Sequence, residues 1–214
     1  MPFELSDLDP RTRSSIQAYD DVAGDYQLKL RTHRPLTDVK RFAKDLARGT
    51  VVLDAGCGPA NDIRLLRDRG LHVIGLDMSE GALDHARLLL PRDGLVRGPL
   101  EDPPFADDSF GGLWCNGGLN HTPRDRWRAV FTALMRTVES GPVMLSCYRG
   151  TVDMVEVQDE LLGTIHVSAI TEEEAVGMFE ERGLEDIRVE VRPDPLHGRR
   201  RPNLVVHATK PAAA

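Results

Sequence analysis

Val51-Val52-Leu53-Asp54-Ala55-Gly56-Cys57-Gly58-Pro59-Ala60-Asn61-Asp62 is an apolar run that ends at an acid, turns on two glycines and opens a helical pattern. Strand, glycine turn and helix in that order form the first unit of a nucleotide-binding α/β fold, with a ligand seated at the turn. Glycines at 56 and 58 permit unusual backbone angles and let the main chain approach a ligand with no β-carbon between them. The helix that follows presents amide donors to the same place. His72-Val73-Ile74-Gly75-Leu76-Asp77-Met78-Ser79 supplies a second anchor: Asp77 ends the next apolar run about 20 residues on, where a carboxylate grips ribose hydroxyls. The dinucleotide pattern G-x-G-x-x-G needs glycine at 61, which is Asn61 here, so NAD and FAD are disfavoured.

Outward from this pair, short runs rich in valine, isoleucine and leucine recur at 50–54, 71–77, 94–97, 110–116 and 142–148, then at 186–192 and 203–209. Helical periodicity lies between them, clearest over 124–139, where Trp127, Val130, Phe131, Leu134, Met135 and Val138 share one face. Alternation of the two patterns predicts a mainly parallel sheet with helices on both faces. Boundary signals agree with this phasing. Gly70 and Gly183 stop helices, Ser79 caps one carrying Leu83, Ala86 and Leu90, and Thr171 with Glu174 has capping-box spacing. Residues 1–45 read as a helical cap ahead of a core over 46–210, with 211–214 a frayed tail, all within one domain over 1–214.

Composition narrows the class. The 214 residues can bury one sheet covered on both faces. Twenty-seven basic against 34 acidic residues, a net charge of −7, give no general reason to expect a nucleic acid partner. Cys57, Cys115 and Cys147 are too scattered to hold zinc and read as reduced thiols, and no metal site is expected. No run is long and apolar enough to span a bilayer and the start lacks a signal pattern, so a cytoplasmic enzyme without membrane attachment is expected. The oligomeric state is not encoded in any pattern here.

Several motifs together resemble the class I S-adenosylmethionine-dependent methyltransferases of the small bacterial type, across nearly the whole chain. Asp54-Ala55-Gly56-Cys57-Gly58 is similar to the family's first motif, and Leu76-Asp77-Met78-Ser79 to its second. Gly98-Pro99-Leu100-Glu101-Asp102-Pro103-Pro104-Phe105 with Asp107-Asp108-Ser109-Phe110 resembles the approach to the fourth strand, and Tyr19-Asp20-Asp21-Val22-Ala23-Gly24-Asp25-Tyr26 the N-terminal cap. The resemblance implies a Rossmann-like seven-stranded sheet of order 3-2-1-4-5-7-6 with the last strand antiparallel. It also implies S-adenosyl-L-methionine as cofactor, with S-adenosyl-L-homocysteine as product. By the same resemblance Gly56 and Gly58 shape the methionine loop beside Asp54, Asp77 takes both ribose hydroxyls, and Met78 packs on the adenine. Leu100 offers its amide to the adenine with Glu101 alongside, Asn116 lines the methionine moiety, and Tyr26 belongs to the lid over the cofactor. Three departures stand out: Ala60 for the third glycine, Pro99 at a position usually acidic, and Ser140-Gly141-Pro142 for a Pro-Gly-Gly turn.

Acceptor chemistry is less constrained. Methyl transfer from a sulfonium is a direct displacement, so the site must chiefly hold the nucleophile in line and exclude water. A hydroxyl or protonated amine also has to lose a proton, and His121, after the fourth strand in Asn116-Gly117-Gly118-Leu119-Asn120-His121, is the candidate base, or else a structural cap. Tyr19, with Tyr26, is expected to close over the site or to pack within its helix, and Tyr148 to face the acceptor or fill the sheet. Trp114 and Trp127 belong to apolar patterns and are expected in the core. Arg199, in His197-Gly198-Arg199-Arg200-Arg201-Pro202, either recruits an anionic acceptor or phosphate or is a solvated turn. A small-molecule acceptor methylated on O or N is favoured, roofed by residues 1–45 and 151–170. The alternatives are an RNA or protein methyltransferase and a non-catalytic S-adenosylmethionine-binding partner subunit.

Overall fold

The computed structural model describes residues 5–31, 34–90, 94–194 and 198–213, with only the backbone described for Leu89 and residues 198–201. Seven strands form one sheet: β1 (Val51–Ala55), β2 (His72–Asp77), β3 (Leu95–Arg97), β4 (Leu113–Asn116), β5 (Gly141–Tyr148), β8 (Glu185–Asp194) and β9 (Gly198–Lys210). Their order is β3-β2-β1-β4-β5-β9-β8, and β9 runs antiparallel to both neighbours, so the expected topology holds. The two numbers by which the count exceeds expectation belong to a hairpin, β6 (Val155–Asp159) with β7 (Gly163–Val167), inserted after β5. Its residues alternate weakly and carry several charges, so periodicity does not mark this stretch, expected only to roof the site, as strands.

Helices cover both faces. α6 (Trp127–Arg136) and α7 (Glu172–Glu180) bury Trp127, Phe131, Leu134 and Phe179 against Leu53, Leu113, Val143 and Leu145. On the opposite face α3 (Leu36–Phe42), α4 (Asn61–Arg67) and α5 (Glu80–Leu89) bury Phe42, Ile63, Leu66 and Leu83 against Val52, Val73, Trp114 and Met144. Burial on both sides is why the central strands read as continuous apolar runs, which is characteristic of a parallel sheet. Trp114 and Trp127 are both fully buried, as their patterns require.

The boundary signals act as read. Gly70 and Gly183 adopt φ of +87° and +66° at helix ends, and Ser79 accepts the Ala82 amide. Thr171 and Glu174 complete both halves of a capping box on α7. Cys57, Cys115 and Cys147 are free and buried. Among the described residues no helix is long and apolar enough to cross a membrane, and no cluster of metal-binding side chains occurs.

Ahead of the sheet, α1 (Pro10–Asp21) and α2 (Ala23–Leu30) form the cap with α3. The hairpin's Leu162, Ile165 and Val167 pack with Ala18, Tyr19, Val22 and Tyr26, so cap and hairpin share one small apolar core. A second tie is ionic: Asp38 on α3 accepts from Arg192 at 2.6 Å and pairs with His207 at 2.9 Å, while Glu190 joins Arg192 to Arg41. Burial works against the Asp38 carboxylate, but the hydrogen bonds from His207 and Arg192 prevail and hold its pKa down to about 2. A folded-state value depressed from 3.8 contributes stability that is full above about pH 4 and is lost as pH falls toward 2. Accordingly, Asp38→Asn is expected to lose about 2 kcal/mol in urea unfolding near neutrality, with the gap from wild type narrowing as pH drops below about 4. A gap independent of pH would assign the loss to packing instead.

Candidate functional site

The register of the parallel strands decides which side chains meet. Asp54 lies opposite Trp114, Trp114 opposite Met144, Asn116 opposite Ser146 and Tyr148 opposite Asn203. Side chains alternate along a strand, so the α3/α4 face is apolar in its middle and carries Asp54, Asn116, Ser146, Tyr148 and Asn203 toward its C-terminal edge. A cavity of about 450 Å³ opens there, bounded by the β1 and β4 turns, the β2 end, the cap and β9. Tyr19, Tyr26, Asp54, Gly56, Gly58, Asp77, Met78, Leu100, Glu101, Asn116, His121 and Tyr148 all line it. Arg199 alone of the expected site residues lies outside the described side chains, as does His197 entirely.

Two backbone turns meet at its floor. A β-carbon on Gly56 would stand 2.6 Å from the Gly118 Cα, and one on Gly118 would stand 2.6 Å from the Ala55 carbonyl oxygen. Gly56 also has φ +76°, so this turn needs glycine twice over. At Gly58, with φ +50°, a β-carbon would meet no protein atom within 4 Å, so its surroundings are open for a ligand. Ala60 takes φ +62° while fully buried, so the departure from glycine places an alanine in the left-handed region at a cost of about 1 kcal/mol.

Asp77 is fixed from two sides: its Oδ2 accepts the Gly58 amide at 2.8 Å and its Oδ1 the Ser79 amide at 2.9 Å. Burial raises its pKa while these amides lower it. A carboxylate offers about four acceptor positions, so each oxygen keeps capacity for a ligand hydroxyl. Asp62, on the first turn of α4, accepts from Trp114 Nε1 at 3.0 Å and Asn116 Nδ2 at 2.8 Å, which orients Asn116. Asp54 differs from both: its Oδ2 is buried without a hydrogen-bond partner. Burial, then the charges of Asp62 and Asp77, push its pKa well up. Asn61 Nδ2 is likewise buried and unpartnered, and burial raises Glu101. An unpaired carboxylate beside two others in one cavity is stabilised by a cation, and the ammonium and sulfonium of S-adenosylmethionine are cationic groups. The residues present therefore fit that molecule.

Opposite the acids, Tyr19 Oη lies 3.0 Å from His121 Nε2, and His121 Nδ1 lies 2.7 Å from the His166 carbonyl oxygen. A carbonyl only accepts, so Nδ1 carries the proton and Nε2 accepts from the Tyr19 hydroxyl. Burial lowers the His121 pKa. Tyr19 stands edge-on to Tyr26 at 4.9 Å and to His121 at 5.2 Å, so it packs and also faces the cavity. His121 sits in the turn after β4, not at a helix start; the first helical residues beyond it are Arg124–Arg126.

Sequence reasoning did not single out the residues that hold this arrangement. Thr12 Oγ1 donates to the His121 carbonyl at 2.7 Å, and Ser15 Oγ accepts the His166 amide at 2.9 Å. Asp20 accepts from Ser79 Oγ at 2.5 Å and from the Gly81 amide, which ties α1 to the start of α5. Asn120 Oδ1 takes the Tyr148 amide at 3.0 Å. Thr12 and Ser15 belong to no motif, and their partners lie more than a hundred positions away; Asp20 and Asn120 stand inside stretches quoted for their neighbours, and only the fold shows what they bind.

Residues 52–141 match a family model described as a methyltransferase domain. A malonyl-acyl-carrier-protein O-methyltransferase of Enterobacter lignolyticus is 34% identical over 99 residues, covering 46% of this chain and 39% of that protein. One from Serratia marcescens is 27% identical over 162 residues, covering 71% and 60%. The chain thus spans well under two thirds of the Enterobacter relative. Among solved structures, the Burkholderia thailandensis 1,6-didemethyltoxoflavin-N1-methyltransferase, bound to that compound and S-adenosylhomocysteine, has a TM-score of 0.68 at 19% identity. It matches over 98% of this chain and 93% of its own. A methyltransferase from Methanosarcina mazei gives 0.67 at 18% identity over 79% and 96%.

The Gly56 and Gly118 contact yields a direct expectation. Gly118→Ala forces the β1 and β4 turns apart and should cost roughly 1–3 kcal/mol in thermal or urea unfolding, as overpacking against backbone does. A variant as stable as wild type would show that the two turns are not held in contact.

Proposed function

We propose that this chain is a class I S-adenosylmethionine-dependent methyltransferase and that it methylates an oxygen or nitrogen of a small-molecule acceptor inside the capped cavity. One observation carries the reading: the nucleotide-side residues and Tyr19, His121 and Tyr148 line the same cavity beneath the cap helices. Its volume of about 450 Å³ lies within the range of small-ligand sites. Asp77 would hold the ribose hydroxyls, Met78, Leu100 and Glu101 the adenine, and Asp54 with Gly56, Gly58 and Asn116 the methionine part, while Tyr26 closes over it. Bound there, S-adenosylmethionine supplies an electrophilic methyl group on a sulfonium.

The chain's own contribution is position and dryness. Trp114 and Asn116 satisfy two acceptor positions of Asp62, so the β4 end is held at a fixed distance from α4. The cap and the hairpin pack together around Tyr19, Tyr26, Tyr148 and Ile165, which places apolar surface beside the acceptor side. Two relatives named as malonyl-acyl-carrier-protein O-methyltransferases support oxygen as the methylated atom. The neighbour named as an N1-methyltransferase keeps nitrogen in view. A capped cavity of small-ligand size and a net charge of −7 weigh against RNA as acceptor.

Incubation with S-adenosylmethionine labelled on the methyl group and a panel of small hydroxylated, carboxylated and nitrogen-heterocyclic compounds is expected to label members of the panel. Label entering only RNA or protein would overturn the small-molecule reading. With a labelled acceptor in hand, His121→Ala should leave S-adenosylhomocysteine affinity within about twofold and slow turnover roughly 100-fold, the lower end of what general base catalysis contributes. Unchanged turnover would remove His121 from the chemistry.

A further inference from the structure

His121 has no free nitrogen. Nδ1 donates to the His166 carbonyl and Nε2 accepts from Tyr19, so an acceptor molecule in the cavity cannot reach either ring nitrogen without displacing a bond already made. Tyr19 Oη, in contrast, donates one proton to Nε2 and has two lone pairs, so that beside its side-chain hydrogen bond with Tyr26 one acceptor position remains, and its residue lines the cavity. We propose that Tyr19 is the group that takes the acceptor's proton, passing its own to His121 in the same step. This rests on the methyl-transfer reading above and names the residue that meets the acceptor.

The step balances. As the acceptor's O–H or N–H heteroatom bonds to the methyl carbon, the carbon–sulfur pair returns to sulfur. The heteroatom's proton moves to the Tyr19 oxygen, and the Tyr19 proton moves to Nε2. The acceptor has exchanged a proton for a methyl group, the sulfonium has become a neutral thioether, and the positive charge rests on the imidazolium. That imidazolium keeps Nδ1–H on the His166 carbonyl, which favours the charged form. A phenol is suited to this use because it stays neutral: burial, with Tyr26, Tyr148 and Asp159 nearby, raises the Tyr19 pKa well above its ordinary value, so it relays a proton rather than storing charge.

The dyad is also built to stay in place. Thr12 on α1 holds the His121 carbonyl, Ser15 on the next turn holds the His166 amide, and Tyr19 projects from the same helix. One helix therefore positions the relay's donor, its acceptor and the carbonyl that fixes the tautomer. The ionisable groups facing the pair are Tyr26 from α2, Tyr148 from β5, and His166 and Asp159 from the hairpin.

Two measurements test this. Nitrogen-15 NMR of the histidine rings, in protein saturated with S-adenosylhomocysteine, should find His121 protonated on Nδ1 alone near neutral pH, and Tyr19→Phe should raise the pH at which Nε2 protonates. A proton on Nε2 at neutrality would overturn the relay. With phenols and hydroxy-heterocycles as acceptors, Tyr19→Phe and His121→Gln should each lower kcat about 100-fold with little change in KM, and the double variant should lose no more. Their pH profiles should also lose the limb at which wild-type activity falls in acid. Tyr19→Phe turning over at the wild-type rate, or methylation confined to carboxylates, which have no proton to give, would overturn it. Loss of S-adenosylhomocysteine binding in wild-type protein would instead sink the methyltransferase reading, so the two failures are distinguishable.

Discussion

The contact on which this structure depends is the meeting of two backbones, Gly56 at the end of β1 and Gly118 after β4, with no room for a side chain between them. Adjacent parallel strands stand at a fixed spacing, and their following chains leave in opposite directions where the strand order reverses. A crevice opens at that point in any sheet of this order. Here the glycine contact closes its floor, so the acids of β1, β2 and α4 face a cavity rather than solvent. Asp54 is then buried with Asp62 and Asp77 half-buried beside it, and each is pushed toward protonation first by desolvation. Two of them accept from protein donors, while Asp54 keeps a buried oxygen without a hydrogen-bond partner.

Closure from above uses different physics. The cap is joined to the sheet by a few specific polar bonds, Thr12 and Ser15 toward the His121 turn and the hairpin, Asp20 toward α5, and Asp38 toward β8 and β9. The apolar core it shares with the hairpin is small. A small core with directed ties opens at lower cost than the sheet unfolds, and a cofactor needs such an opening to enter. The ties that join α1 to the rest of the chain also set the Tyr19 and His121 geometry.

Most of the sheet was legible in the sequence because strands buried on both faces leave continuous apolar runs, and the glycine stops and caps are local chemistry. Asp54, Gly56, Gly58 and Asp77 were legible for the same reason: each stands at the end of a strand or in a turn with a stated backbone need. The hairpin at 155–167 was not, since it is exposed on one side, charged, and borders the site through only a few apolar residues. Nor were Thr12, Ser15 and Asp62, whose hydrogen bonds reach strands and turns far along the chain. Ala60 shows the limit from the other side: in sequence it is one departure from a glycine, while its left-handed backbone reveals a strained position.

The central claim is that the carboxylate-lined cavity holds S-adenosylmethionine, and calorimetric titration tests it most directly. The account predicts micromolar binding of S-adenosylmethionine and S-adenosylhomocysteine, about −8 kcal/mol, abolished in a folded Asp77→Ala variant. Folded wild-type protein that binds neither compound would contradict it.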